Sequence, residues 1–148
     1  MQQYLDFATN NLMLSLIWVG LLVTVITSII KQKTAAYTVV DAQGATMLVN
    51  REEGVFVDIR SKDEFARGHI VDAIHVLPSE IKAQTLTSLE KHKQTPIIVV
   101  CKTGQTAHEN ANLLAKGGFE RVYLLKDGLI GWAEAKMPLV NGKKAKKK

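Results

Sequence analysis

The feature that most constrains the fold is a run of four apolar, β-forming residues, Ile97–Val100, directly after Pro96. No polar residue alternates along this run, so a strand formed by it is buried on both faces. Strands of this kind are typical of parallel sheets that are covered by helices. The run therefore predicts an α/β domain with a largely parallel sheet.

Strand-like and helix-like segments alternate along the rest of the chain, as in βαβ units. Capping residues and breakers separate the segments, since Ser61 and Glu64 are spaced as a capping box and Gly68 follows them. The predicted strands are Tyr37–Val40, Val55–Val57 running on into 58–60, Ile74–Leu77, Ile97–Val100 and Val122–Leu125. The predicted helical segments follow Asp41, Ser61 and Gly128, and cover residues 79–83, 86–92 and 107–115.

A nineteen-residue uncharged run, Leu12–Ile30, lies outside this alternation. As a helix it would be about 28 Å long, close to the thickness of the hydrocarbon core of a bilayer. Asp6 precedes the run and Lys31 and Lys33 follow it, which is the reverse of the charge pattern of a cleaved signal peptide, the main alternative. The run predicts one transmembrane helix in contact with lipid. The lysines after it predict an external N-terminus and a cytoplasmic domain.

The positive charge of the chain is concentrated at its C-terminal end. The formal net charge is +5, and residues 143–148 hold five lysines, so the rest of the chain is close to neutral. A basic surface for nucleic acid is therefore not expected. The lysine tail has two open interpretations, a solvated end and a contact with anionic lipid.

The chain has one cysteine, Cys101, at the carboxyl end of the predicted strand Ile97–Val100. Ligands of open α/β sheets bind at this edge. The helix after the next loop offers unpaired N–H groups and a positive dipole end, which favour a thiolate, and Lys102 adds a positive charge. Gly104 lets the loop amides turn inward. These residues alone leave open a reactive thiolate or an inert buried cysteine.

Metal binding is not expected from the sequence. A single cysteine excludes both an intramolecular disulfide and a cysteine-cluster metal site. His75, His92 and His108 lack the spacing of metal ligands, and we expect them at the surface.

Five ordered motifs between Tyr37 and Leu139 resemble the rhodanese-like domain family. The first motif is a strand that ends in Asp-x-Arg at 55–60, and the second is a Glu-aromatic-x-x-Gly-His-Ile stretch at 64–70, which continues to Ala-Ile at 73–74 and Pro78. The third is a Cys-x-x-Gly-x-x loop at 101–106. The fourth is a Gly-Phe to Leu stretch at 118–125, and the fifth is Asp127-Gly128 followed by Trp132. With the apolar run included, the layout resembles bacterial single-pass, membrane-anchored rhodaneses.

The resemblance implies a three-layer α/β/α domain with a five-stranded, mainly parallel sheet, and a sulfurtransferase reaction. Cys101 would take sulfane sulfur from thiosulfate or a protein persulfide, hold it as a persulfide, and pass it to a thiol or cyanide. The resemblance also implies substrate binding by the loop residues Lys102, Thr103, Gly104, Gln105 and Thr106. Asp58 and Arg60 would form a supporting charge pair, and no cofactor or metal is implied.

We expect five segments: a tail at 1–11, a transmembrane helix at 12–30, a linker at 31–36, the rhodanese-like domain at 37–140 and a lysine-rich tail at 141–148. The expected location is the bacterial inner membrane, with the domain in the cytoplasm. A membrane protein is an expected additional partner.

One departure from the family pattern bears on activity. The last loop position, often arginine in active members, is Thr106, so a guanidinium that could hold an oxyanion donor is missing. Thr106 and Glu109 are spaced as a capping box. Phosphatases and arsenate reductases of related fold need that arginine, which argues against their chemistry. The main alternative to a sulfurtransferase is an inactive rhodanese-fold interaction module that tethers or regulates a membrane partner.

Overall fold

The computed structural model describes residues 11–33 and 36–142, without the side chains of 28–33. The chain divides into two compact units, residues 1–35 and 36–148. The predicted tail 1–11 apart from Asn11, part of the predicted linker 31–36, and residues 143–148 of the lysine-rich tail lie outside the described residues.

The first unit contains one long helix, α1, at Leu12–Lys33. It extends beyond the predicted end at Ile30, and lysines are favourable in the last turn of a helix because of its dipole. Its large apolar side chains are exposed between Leu12 and Ile26, with Met13 78% and Trp18 71% exposed. Within the residues described, no helix is both long enough and apolar enough to cross a membrane. The transmembrane helix therefore stays a prediction.

The second unit alternates strands and helices, as the sequence predicts. The strands are β1 (Thr38–Val40), β2 (Val55–Asp58), β3 (Ile74–His75), β4 (Ile97–Val100) and β5 (Val122–Leu125). The helices are α2 (Ala42–Glu52), α3 (Lys62–Arg67), α4 (Pro78–Lys82), α5 (Ala107–Lys116) and α6 (Gly128–Glu134), with a 3₁₀ turn at Glu90–His92.

The five strands form one sheet in the order β1-β5-β4-β2-β3, with β4 at the centre. Every pair of these neighbouring strands is parallel. In the register, Asp58 of β2 lies beside Val100 of β4, and Val99 lies beside Leu124 of β5. The prediction of a five-stranded, mainly parallel α/β sheet is confirmed, and the carboxyl ends of β2 and β4 meet at one edge.

Residues of β4 point alternately into two apolar layers, which explains why none of them is polar. Ile97 and Val99 pack on the side of α4 and α5, with Ala107, Ala111 and Leu114. Ile98 and Val100 pack on the side of α2 and α6, with Ala42, Leu129 and Trp132. All four β4 residues are at most 1% exposed. Burying each such side chain stabilises the fold by about 1.5–3 kcal/mol.

Two predicted segments differ in the structure. Residues 86–92 form turns and a short 3₁₀ helix at Glu90–His92 instead of one helix. Of these residues only Leu86 and Leu89 are buried in the core, so the segment has no continuous apolar face that would pack as a helix. The strand expected at Ile74–Leu77 pairs only at Ile74–His75, since Leu77 already precedes α4. Trp132 lies in the core: its ring is edge-on to that of Phe56, with 5.3 Å between the ring centroids, and its Nε1 donates to the Pro138 carbonyl.

Candidate active site

Cys101 lies directly after β4, at the carboxyl edge of the sheet centre. It is a free cysteine and only 2% exposed. The neighbouring strands hold its position, because the Ile59 amide donates to the Val100 carbonyl at 3.0 Å, immediately before the cysteine. The parallel sheet therefore fixes the cysteine where ligands of α/β proteins bind.

The loop after Cys101 wraps its backbone around the sulfur. The Gly104 amide donates to Sγ of Cys101 at 3.0 Å. Gly104 has a φ of +87°, which residues with a Cβ rarely adopt, and this conformation turns its amide inward. Four other loop side chains, those of Lys102, Thr103, Gln105 and Thr106, are exposed. The predicted substrate-binding residues thus divide into one inward amide and four side chains that face solvent.

Thr106 does not cap helix α5 as its spacing with Glu109 suggests. Its φ of −71° and ψ of −16° are already helical, and its side chain makes no capping hydrogen bond. A capping side chain needs an extended backbone at that position. Glu109 pairs instead with Lys82 at 3.2 Å, and both side chains are exposed. The predicted capping box at Thr106 is wrong.

Asp58 and Arg60 form a buried charge pair at the end of β2. Nε of Arg60 donates to Oδ1 of Asp58 at 2.9 Å, and one Nη donates to Oδ2 at 2.6 Å. The same Nη donates to the Gly68 carbonyl at 2.7 Å. The Asp58 side chain is 1% exposed and that of Arg60 10%. The guanidinium is therefore engaged in joining β2 to the turn after α3.

Glu64 is predicted from the sequence as the capping partner of Ser61, but its electrostatic interaction with Lys102 of the loop is a feature that sequence reasoning missed. Hydrogen bonds from Ser61 hold the pKa of Glu64 below its ordinary value, and the positive charges of Arg60 and Lys102 lower it further. The predicted capping box of Ser61 and Glu64 is present. The charge of Lys102 thus favours the ionised form of the Glu64 carboxyl, after the larger effect of the Ser61 hydrogen bonds.

Asn110 is a second residue that sequence reasoning missed. It is 4% exposed, and its Nδ2 donates to the Thr106 carbonyl at 2.8 Å, while its Oδ1 has no hydrogen-bond partner among the residues that the structure describes. It lines an open cleft of about 420 Å³. The other residues that line the cleft are Pro78, Lys82, Gln105, Thr106 and Glu109. A polar residue three positions after Ala107, on the apolar face of α5, was the available signal.

The histidines occupy different environments. Nε2 of His75 lies 2.7 Å from the Arg60 carbonyl, and His75 and His92 are half-buried, so both are only partly at the surface. Burial and the charge of Lys91 lower the pKa of His92. His108 is exposed. Within the part of the chain that the structure describes, no cluster of metal-ligating side chains is found.

The fold and this loop define a class of protein, and comparison with known proteins identifies it. The family model described as "Rhodanese-like domain" matches residues 41–135, and the chain belongs to this family. The uncharacterised protein YibN of Escherichia coli K12 is 45% identical over 143 residues, which cover 97% of this chain and 100% of YibN. The predicted resemblance to the rhodanese-like domain family is thereby confirmed.

Two further relatives are informative about fold and chemistry. Thiosulfate sulfurtransferase GlpE of Actinobacillus pleuropneumoniae is 31% identical over 103 residues, covering 70% of this chain and 93% of GlpE. The crystal structure of the Alr3790 protein from Anabaena superposes with a TM-score of 0.61 at 26% identity, covering 69% of this chain and 81% of that one. The family thus includes named sulfurtransferases.

Proposed function

We propose that the chain is a sulfurtransferase that carries sulfane sulfur as a persulfide on Cys101. The observation that carries the proposal is the amide of Gly104, which donates to Sγ at 3.0 Å in a loop at the carboxyl edge of the sheet. A backbone N–H aimed at a buried sulfur stabilises negative charge there, as oxyanion-hole donors do in acyl transfer. An inert structural cysteine does not need such a donor.

The reaction has two displacement steps. The Cys101 thiolate attacks the sulfane sulfur of thiosulfate, a sulfur–sulfur bond forms, and sulfite leaves with the electron pair of the broken bond. The terminal sulfur of the Cys101 persulfide is then attacked by a thiol or cyanide, and the thiolate is regenerated. The residues that would meet the donor are the exposed side chains of Lys102, Thr103, Gln105 and Thr106.

We propose a protein persulfide as the better donor. Thiosulfate is a small dianion that an arginine would hold through two parallel hydrogen bonds, and Thr106 cannot supply them. Arg60 does not replace that arginine, because Asp58 and the Gly68 carbonyl occupy its guanidinium. Lys102 offers a single ammonium, a point charge without the two parallel donors of a guanidinium.

The test is to incubate the full-length chain, purified in a mild non-ionic detergent, with thiosulfate and separately with a persulfidated protein. Mass spectrometry should find one added sulfur atom on Cys101, with more adduct from the protein donor. Cys101→Ser is the matched control. If the wild-type thiol reacts with iodoacetamide but takes sulfur from neither donor, the proposal is refuted.

We also propose that the domain is held at the cytoplasmic side of the bacterial inner membrane by residues 12–30. The support is the uncharged run in the sequence and the exposed apolar side chains of α1 between Leu12 and Ile26. Two charged substitutions, Leu16→Lys and Leu21→Lys, should move the chain from the membrane fraction to the soluble fraction. An unchanged distribution would contradict the anchor.

A second candidate function is an inactive rhodanese-fold module that tethers a membrane protein partner. It is favoured by Thr106 in place of the expected arginine and by the low exposure of Cys101. The Cys101→Ser variant separates the two functions in cells. A tethering module keeps its cellular role in this variant, whereas a sulfur carrier loses it.

A further inference from the structure

The N-terminus of helix α6 closes on the outer side of the loop that follows Cys101. The Leu129 amide donates to the carbonyl of Cys101 at 2.9 Å, and the Ile130 amide donates to the carbonyl of Lys102 at 3.3 Å. These two amides belong to the first turn of α6, where backbone N–H groups have no partner inside the helix. The carbonyls of the loop therefore point towards α6 and away from the sulfur.

Gly128 makes this close approach possible. A Cβ at position 128 would lie 2.3 Å from the carbonyl oxygen of Cys101, 2.8 Å from the carbonyl carbon of Lys102 and 2.9 Å from the amide nitrogen of Gly104. All three atoms are backbone, so no side chain can rotate away to make room. Any side chain at position 128 must push α6 and the loop apart.

The need for glycine at this position comes mainly from space, which adds to the strain of its positive φ. Gly128 has a φ of +56°, and the non-glycine residues Glu53 and Asp127 both have a φ of 55° in the same chain. Gly104 is the opposite case. Its Cβ would have ordinary contacts of 3.5 Å or more, but its φ of +87° disfavours other residues. The loop thus depends on two glycines for two different physical reasons.

We propose that Gly128 is a positioning residue for sulfur transfer, which lets α6 bind the carbonyls of Cys101 and Lys102 and so keeps the Gly104 amide directed at Sγ. The proposal rests on the proposed function of Cys101. It adds that the geometry of the loop is set by a helix 27 positions further along the chain. Gly128 acts through the loop backbone and does not itself touch substrate.

The test compares Gly128→Ala with Gly118→Ala in the full-length chain in detergent. Gly118 is a matched control, since its φ is +90° and its Cβ would have no atom within 4 Å, so alanine adds backbone strain without contact with the loop. The first readout is the rate of Cys101 alkylation by iodoacetamide between neutral and alkaline pH. The second is kcat and KM for sulfur transfer.

We expect Gly128→Ala to slow alkylation at least tenfold at neutral pH, with recovery at alkaline pH, and to lower kcat more than it changes KM. Gly118→Ala should alkylate at the wild-type rate. A folded Gly128→Ala variant with the wild-type rate, or equal slowing in both variants, would overturn the proposal.

A second variant covers the case in which Gly128→Ala does not fold. Gly131→Ala places its Cβ 2.7 Å from the Lys126 carbonyl oxygen and 3.0 Å from Cβ of Asp127, so it displaces the start of α6 without touching the loop. Slower alkylation then supports the proposal, and the wild-type rate refutes it. Because alkylation needs no sulfur donor, a chain that forms no persulfide still reports on the role of Gly128.

Discussion

The buried pair of Asp58 and Arg60 gives a prediction that separates a structural role from substrate binding. Arg60→Met keeps the apolar stem of the side chain and removes its charge. Asp58, 1% exposed, then loses its side-chain donors and keeps only the amide of residue 60, which lies 3.0 Å from Oδ1. The Gly68 carbonyl also loses its donor. Removing one partner of a buried ion pair costs about 3–5 kcal/mol, because the remaining charge stays buried.

The assay is urea unfolding of the full-length chain in detergent, followed by fluorescence. A Trp18→Phe background leaves Trp132, packed against Phe56, as the single reporter of the domain. Arg60→Met should lower the free energy of unfolding by about 3–5 kcal/mol. The KM for thiosulfate of the fraction that remains folded should not change, since Asp58 and the Gly68 carbonyl already occupy the guanidinium.

An exposed pair supplies the control. Lys82 and Glu109 are 58% and 68% exposed, and pairs of this kind contribute about 0–1 kcal/mol. Glu109→Gln should therefore leave the unfolding curve almost unchanged. If Arg60→Met costs no more than Glu109→Gln, or if its main effect is on the KM for thiosulfate, the structural interpretation of the pair is refuted.

Three further predictions address the loop and its surroundings. Thr106→Arg should raise the rate of thiocyanate formation from thiosulfate and cyanide about 10- to 100-fold. This gain corresponds to one charge-assisted hydrogen bond to the donor, of about 1.5–3 kcal/mol. No gain would mean that position 106 does not meet the donor. Gly104→Ala should cost about 1–2 kcal/mol of stability in unfolding experiments, because alanine is strained at the positive φ of this position. It should also reduce the yield of persulfide on Cys101 measured by mass spectrometry. A full yield would show that the Gly104 amide is dispensable. The pKa of His92 is lowered in the folded chain, so as pH falls the unfolded chain binds a proton at His92 before the folded chain does. The stability of the folded state should therefore decrease from about pH 7 towards about pH 5, and His92→Gln should reduce that decrease in thermal unfolding measured across this range. Identical pH profiles for the variant and the wild type would contradict the prediction.

Local sequence patterns predicted the secondary structure because each depends on neighbouring residues. The apolar run Ile97–Val100 became β4, and Ser61 with Glu64 formed its capping box, since both are decided within a few positions. The same reasoning failed at Thr106. Its spacing with Glu109 fits a cap, but Thr106, the residue before α5, has helical backbone angles, and spacing alone does not report backbone angles.

The candidate active site also has features that the sequence predicts and features that only the tertiary structure shows. The sequence by itself determined that the single cysteine follows the apolar strand Ile97–Val100 and precedes a loop with a glycine, because these are facts of chain order. Only the tertiary structure decided that Asp58 and the Gly68 carbonyl engage Arg60, and that Gly128 meets the backbone of Cys101. The reason is that these contacts join segments distant along the chain, and the packing of the sheet and its helices sets such distances.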